Sequence, residues 1–124
     1  MLALKTLTAA DDKGASLIFD EVDAGIGGAV AEVVGKKLRQ LGKKRQVLCV
    51  THLPVIAAYA DHHIGVSKRV EDGRTLSTAR PLSNTERVAE LARMLGGARE
   101  TREAREHAEE LLRHGHVRAA RGAA

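Results

Sequence analysis

The chain has 124 residues, 44% of them hydrophobic and 29% charged, with a formal net charge of +4 and a single cysteine. This length accommodates one domain or part of one, and the composition is that of a folded soluble chain rather than a disordered one. One cysteine excludes a disulfide framework and suits a reducing cytoplasm; no apolar run approaches the roughly 18 residues of a membrane span, and the first residues lack the apolar stretch of a secretory signal.

Residues 1–10 are rich in alanine and leucine and read as the tail of a helix, stopped by Asp11, Asp12, Lys13 and Gly14. Residues 15–19 form a short, nearly continuous apolar run, the pattern of a strand buried on both faces. Residues 28–41 predict a helix, because Val30, Val33, Val34, Leu38 and Leu41 recur at helical spacing opposite Glu32, Lys36, Lys37 and Arg39. Gly42 ends it, and Lys43, Lys44 and Arg45 lie near its negative pole. A second buried strand follows over residues 46–50, which completes a βαβ unit. Residues 53–60 predict a short helix that starts at Pro54. Residues 62–70 and 74–81, joined through Glu71, Asp72 and Gly73, predict a β-hairpin on its Asp-Gly turn. Ser83, Asn84, Thr85 and Glu86 fit a capping box that opens a helix to Leu95, and Gly96-Gly97 stops it. Residues 101–113 predict a charged peripheral helix with Leu111 and Leu112 as its main apolar handle, followed by a disordered Gly/Ala/Arg tail.

Chemistry concentrates at two strand ends. The first apolar run ends in adjacent Asp20 and Glu21, followed by Asp23 and the glycine-rich turn Gly25-Ile26-Gly27-Gly28; the second ends in Thr51-His52. Ligands of open parallel sheets bind at the carboxyl ends of the strands. Adjacent carboxylates there suit phosphoryl chemistry, one holding Mg²⁺ while its neighbour polarises a water. The structural alternative is that the acids cap the next helix or pair with a surface base, and Asp23 is the better capping candidate. His62 and His63 point to opposite faces of a strand and do not chelate one metal together, and Cys49 reads as a small buried hydrophobe.

The stretch FDEVDAGIGG followed by VTHLP resembles the second half of the ABC-type ATPase heads of the SMC-like kind, and within them the RecN family of bacterial DNA repair proteins. The resemblance runs from about Leu2 to Gly97, and THLPVIAAYADHHIGVSKR is its most telling part. It implies an α/β fold, the C-terminal half of a P-loop ATPase head, with parallel strands, crossover helices, a β-hairpin and C-terminal helices. Residues 1–97 would form that lobe and residues 98–124 a charged helix and tail. The strand ending in Asp20-Glu21 is then the Walker B segment, the turn after it the D-loop, and the strand ending in His52 the switch. Asp20 would support Mg²⁺, directly or through water, and Glu21 would be the general base that orients the attacking water. Asp23 and Gly25 would lie in the D-loop, which crosses to a second head in an ATP-sandwiched dimer, and His52 would contact the γ-phosphate. The implied cofactors are ATP and Mg²⁺. The implied partners are the N-terminal half of the same head, a second head, and DNA through the full protein, with no membrane. The implied setting is recombinational repair in the bacterial cytoplasm, on the nucleoid when engaged with DNA.

The chain departs from that pattern in three ways. It contains no GxxxxGK[ST] phosphate loop, no LSGG-type signature and no long heptad run. The expectation is half of an active site, which alone neither binds ATP tightly nor turns it over. Two other classes fit parts of the sequence: a non-catalytic module that docks on a partner chain, and an acidic Mg²⁺ cluster of Asp20, Glu21 and Asp23 in a nuclease-like domain. The net positive charge permits contact with nucleic acid, but lysines and arginines are interspersed with 16 acidic residues, and Phe19 and Tyr59 are too few aromatics for a base-stacking platform.

Overall fold

The computed structural model describes residues 14–121, with side chains of the last helix described through His116. The helix expected over residues 1–10, most of the turn after it and the last three residues of the tail lie outside the described residues. The chain divides into two compact units, Met1–Tyr59 and Ala60–Ala124.

In the first unit, strands β1 (Leu17–Asp20) and β2 (Val47–Val50) pair in parallel, in register from Leu17 opposite Val47 to Asp20 opposite Val50. Parallel neighbours need a crossover, and helix α1 (Gly28–Gly42) supplies it. Helix α2 (Pro54–Ala58) follows β2 and begins at its proline, whose missing N–H costs nothing in a first turn. Ala31, Val34 and Leu38 of α1 meet Ile56 of α2 in the core, and Phe19, Val47, Cys49, Leu53 and Val55 pack around them.

Two expectations for this unit need correction. The buried stripe of α1 is Ala31, Val34, Gly35 and Leu38, whereas Val30 and Val33 stay 47% and 48% exposed. The strands are not buried on both faces either. Phe19, Val47 and Cys49 turn toward α1, while Ile18, Leu48 and Val50 are 70%, 47% and 55% exposed on the opposite face.

In the second unit, strands β3 (Ile64–Glu71) and β4 (Arg74–Pro81) form an antiparallel hairpin. Asp72 and Gly73 both have positive φ, 48° and 72°, as a type I′ turn requires. Helix α3 (Asn84–Gly96) opens with the expected capping box. The Ser83 hydroxyl accepts from the Glu86 N–H, and the Glu86 carboxylate accepts from the Ser83 N–H. It ends at Gly97, whose φ of 76° suits glycine. Helix α4 (Arg102–Arg121) packs on α3 and continues eight residues beyond the predicted end at Arg113. Its buried contacts are Ala104 and Ala108, with Gly96 close to the Ala104 methyl, and Leu111 and Leu112 are only half-buried. Small residues let the two helices approach closely, which is why an apparently charged helix still docks.

Gly35 tests the packing of the first unit. It lies in the middle of α1 under the buried Tyr59 ring, and a Cβ there would come within 2.5 Å of Tyr59 Cδ2. Helix propensity alone favours Gly35→Ala by about 1 kcal/mol, and overpacking opposes it by about 1–3 kcal/mol. The variant is expected to lose about 1 kcal/mol net, read from its urea midpoint; a raised midpoint would show that the ring moves aside freely.

Candidate functional site at the paired strand ends

Because β1 and β2 run in parallel and in register, the residues that follow Asp20 and Val50 leave the sheet at the same end. Glu21 bends the chain there in the left-handed region, with φ of 56°, and two short turns follow: the Ala24 N–H donates to the Glu21 carbonyl, and the Ile26 N–H to that of Asp23. The bend carries Asp23 beneath the end of β2. Its side chain is 4% exposed. The Thr51 hydroxyl donates to Asp23 Oδ2 at 2.6 Å, the His52 backbone N–H donates to the same oxygen at 2.8 Å, and His52 Nδ1 lies 2.9 Å from it. Thr51 Oγ1 in turn accepts from the Leu53 N–H at 3.0 Å, so one hydroxyl anchors the carboxylate and the entry to α2 together.

Burial alone would raise the Asp23 carboxyl. The Thr51 hydroxyl, the His52 and Asp23 backbone N–H groups and a charge on His52 outweigh it, and the group sits below its ordinary value. Burial also pushes the Cys49 thiol up to about 11, helped by Asp23 and Asp20, which leaves it unreactive as a nucleophile.

Asp23 does not cap α1. The N-cap is Gly27, with no side-chain hydrogen bond. Asp20 and Glu21 are both exposed at the strand end, and Gly25, with φ of 73°, is exposed in the turn. The three acids do not converge: among the described residues, no group of three or more His, Cys, Asp or Glu side chains could hold a metal ion. Asp23 is instead engaged by Thr51 and the His52 N–H, so the geometry lends the acidic-cluster reading no support. A single accessible carboxylate such as Asp20 still fits Mg²⁺, which commonly takes one or two carboxylates and completes its shell with waters and phosphate oxygens. His63 lies elsewhere, half-buried in the second unit, where burial first and the Arg87 charge second hold it below the usual imidazole value.

The sequence alone assigns Thr51 no role and offers Asp23 as a helix cap or a D-loop residue, not as the partner of the segment after β2. The hint lay in the order of residues: a strand ending in Thr, with Pro three positions later, marks a hydroxyl-anchored turn into a short helix. Nothing local signals that the hydroxyl reaches a carboxylate 28 residues away.

No family model matches the chain. It is 44% identical over 113 residues to the DNA repair protein RecN of Bacillus subtilis, 55% identical over 112 residues to that of Deinococcus radiodurans, and 49% identical over 111 residues to that of Vibrio cholerae. The chain is RecN-like over nine-tenths of its length. It spans about a fifth of the length of these RecN relatives. A solved structure described under the structural biochemistry of ATP-driven dimerization and DNA-stimulated activation of SMC ATPases superposes with a TM-score of 0.55 at 27% identity, covering 68% of this chain and 50% of that one. The parallel pair and the hairpin therefore belong to an α/β fold with an SMC ATPase neighbour.

The Asp23 cluster predicts an acid-side loss of stability. A carboxyl held below its ordinary value of 3.8 contributes stability that is fully present above that value and is lost as the pH falls through the folded-state value. Thermal melts between pH 5 and pH 2.5 are expected to fall less steeply below about pH 3.8 in Asp23→Asn than in the wild type; parallel curves would contradict the assignment. Thr51→Val removes a hydroxyl bonded to a charged, buried acceptor and is expected to cost about 1.5–3 kcal/mol by urea unfolding at neutral pH.

Proposed function

We propose that this chain is the C-terminal part of a RecN-type ATPase head that serves recombinational repair of DNA breaks, contributing the Walker B, D-loop and switch segments. The observation that carries the reading is the meeting of Asp20-Glu21 and Thr51-His52 at one end of a parallel pair, in a chain that is RecN-like along nearly all of its length. An apolar sheet face with Ile18, Leu48 and Val50 exposed also supports it, since that is a surface further parts of a larger head would bury.

In this reading Asp20 is the carboxylate that holds Mg²⁺, which when bound neutralises developing charge on the transferred phosphoryl group. Glu21 accepts a proton from the attacking water and aligns it. His52 meets a γ-phosphate oxygen. Phosphoryl transfer asks for positioning and charge compensation rather than covalent chemistry, and an exposed pair of acids beside an exposed imidazole can provide both. The phosphate cradle of backbone amides and lysine is absent from this sequence. The proposal therefore assigns the cradle to the N-terminal half of the head, with a second head and DNA as partners of the whole protein.

Glu21→Gln, placed in an intact RecN-type protein, is expected to keep ATP binding while turnover falls by about 10²–10⁴-fold, the usual contribution of a general base. Wild-type turnover in the variant would remove Glu21 from the role. Mixing this chain with the complementary half of the head is expected to restore hydrolysis that neither part shows alone.

A further inference from the structure

We propose that Asp23 is a positioning residue that sets the tautomer of His52 within its own chain, holding the proton on Nδ1 and leaving Nε2, once protonated, to meet a phosphate oxygen. The phosphate rests on the ATPase-head reading; the tautomer does not. An ionised carboxylate only accepts hydrogen bonds, and at 2.9 Å from Asp23 Oδ2 a bare Nδ1 would set its lone pair against the anion, so the contact favours the hydrogen on Nδ1. The same oxygen also holds the His52 backbone N–H at 2.8 Å. One acceptor thus grips the residue by its main chain and its ring, which fixes the orientation of an otherwise free side chain. The two ends differ sharply in environment: the Asp23 side chain is 4% exposed and that of His52 77%. The partner of an orienting carboxylate determines which ring nitrogen is left for chemistry, and here it is Nε2.

The arrangement has a chemical consequence. A neutral Nε2 presents a lone pair, which repels an anionic oxygen, so a phosphate contact requires a proton there. The resulting imidazolium has the Asp23 carboxylate behind it to balance its charge. Asp23 is buried, and its Oδ2 accepts from the Thr51 hydroxyl and the His52 N–H and lies 2.9 Å from Nδ1, so it acts on the histidine of its own chain and has little reach toward a second head.

Long-range ¹H–¹⁵N spectra of the labelled 124-residue chain at about pH 8.5, two units above the ordinary imidazole value, report the tautomer directly, with His52 assigned by the loss of its signals in His52→Gln. The expected wild-type pattern is Nδ1 protonated and Nε2 bare. Asp23→Ala is expected to move the proton to Nε2, whereas Thr51→Val, which weakens the same cluster without touching the ring, leaves it on Nδ1. Nε2–H as the main wild-type form, an unchanged pattern in Asp23→Ala, or an equal shift in Thr51→Val would each overturn the proposal. If Asp23→Ala does not fold, the wild-type spectrum alone decides. Undiminished turnover in Glu21→Gln would sink the ATPase reading and leave this result standing.

Discussion

A carboxylate taken out of water costs several kcal/mol unless hydrogen bonds replace the lost solvent, and the carboxyl end of the parallel pair is arranged around one such group. Asp23 gathers a hydroxyl, a backbone amide and an imidazole onto one oxygen. Each donor comes from the segment just after β2, and the acceptor from the turn just after β1. The carboxylate therefore ties together the two loops that a βαβ unit would otherwise leave as independent excursions. Removing any donor leaves the charge under-compensated, so the cluster is cooperative: its members hold their places because all of them are present.

Much of this architecture was legible in the residues. The Asp-Gly turn specified the hairpin because a left-handed pair of residues matches the twist of two antiparallel strands, and Asp72 and Gly73 adopt that geometry. Ser83 and Glu86 announced the start of α3 through a reciprocal pair of bonds that is local in sequence. The short apolar runs announced β1 and β2, and their parallel pairing brought the polar strand ends together. What failed to show was non-local. Periodicity placed the apolar face of α1 on Val30, Val33, Val34, Leu38 and Leu41, and Val34 and Leu38 are buried, but Ala31 and Gly35 turn inward in place of Val30 and Val33, Gly35 lying against the Tyr59 ring. The stripe of α4 that meets α3 consists of alanines, which hydropathy reads as neutral. Asp23 looked like a helix cap because a cap is the commonest use of such a residue before a helix; its real partners lie on another strand.

The strands illustrate the same limit in a different way. A continuous apolar run predicts burial on both faces, and one face of β1 and β2 is nonetheless open at Ile18, Leu48 and Val50. Register makes these neighbours, since Ile18 stands opposite Leu48 and Val50 lies two residues further along the same face. Asp20 shares that face, opposite Val50. Apolar exposure of this kind disfavours the isolated state. The chain covers about a fifth of the length of its RecN relatives.

The backbone at Glu21 adds a final constraint. A left-handed conformation at a residue with a side chain costs roughly 1–2 kcal/mol, and glycine avoids that cost. The same turn uses glycine at Gly25, where φ is 73°, yet retains glutamate at φ of 56°. Strain kept where a strain-free residue would serve the backbone better calls for a reason in the side chain. Glu21 has no cap to make, and it is exposed at the strand end beside Asp20. The role proposed for Glu21, holding and deprotonating a water, would give that strain a chemical purpose, and in sequence the strained residue stands between Asp20, the carboxylate proposed for the metal, and Asp23.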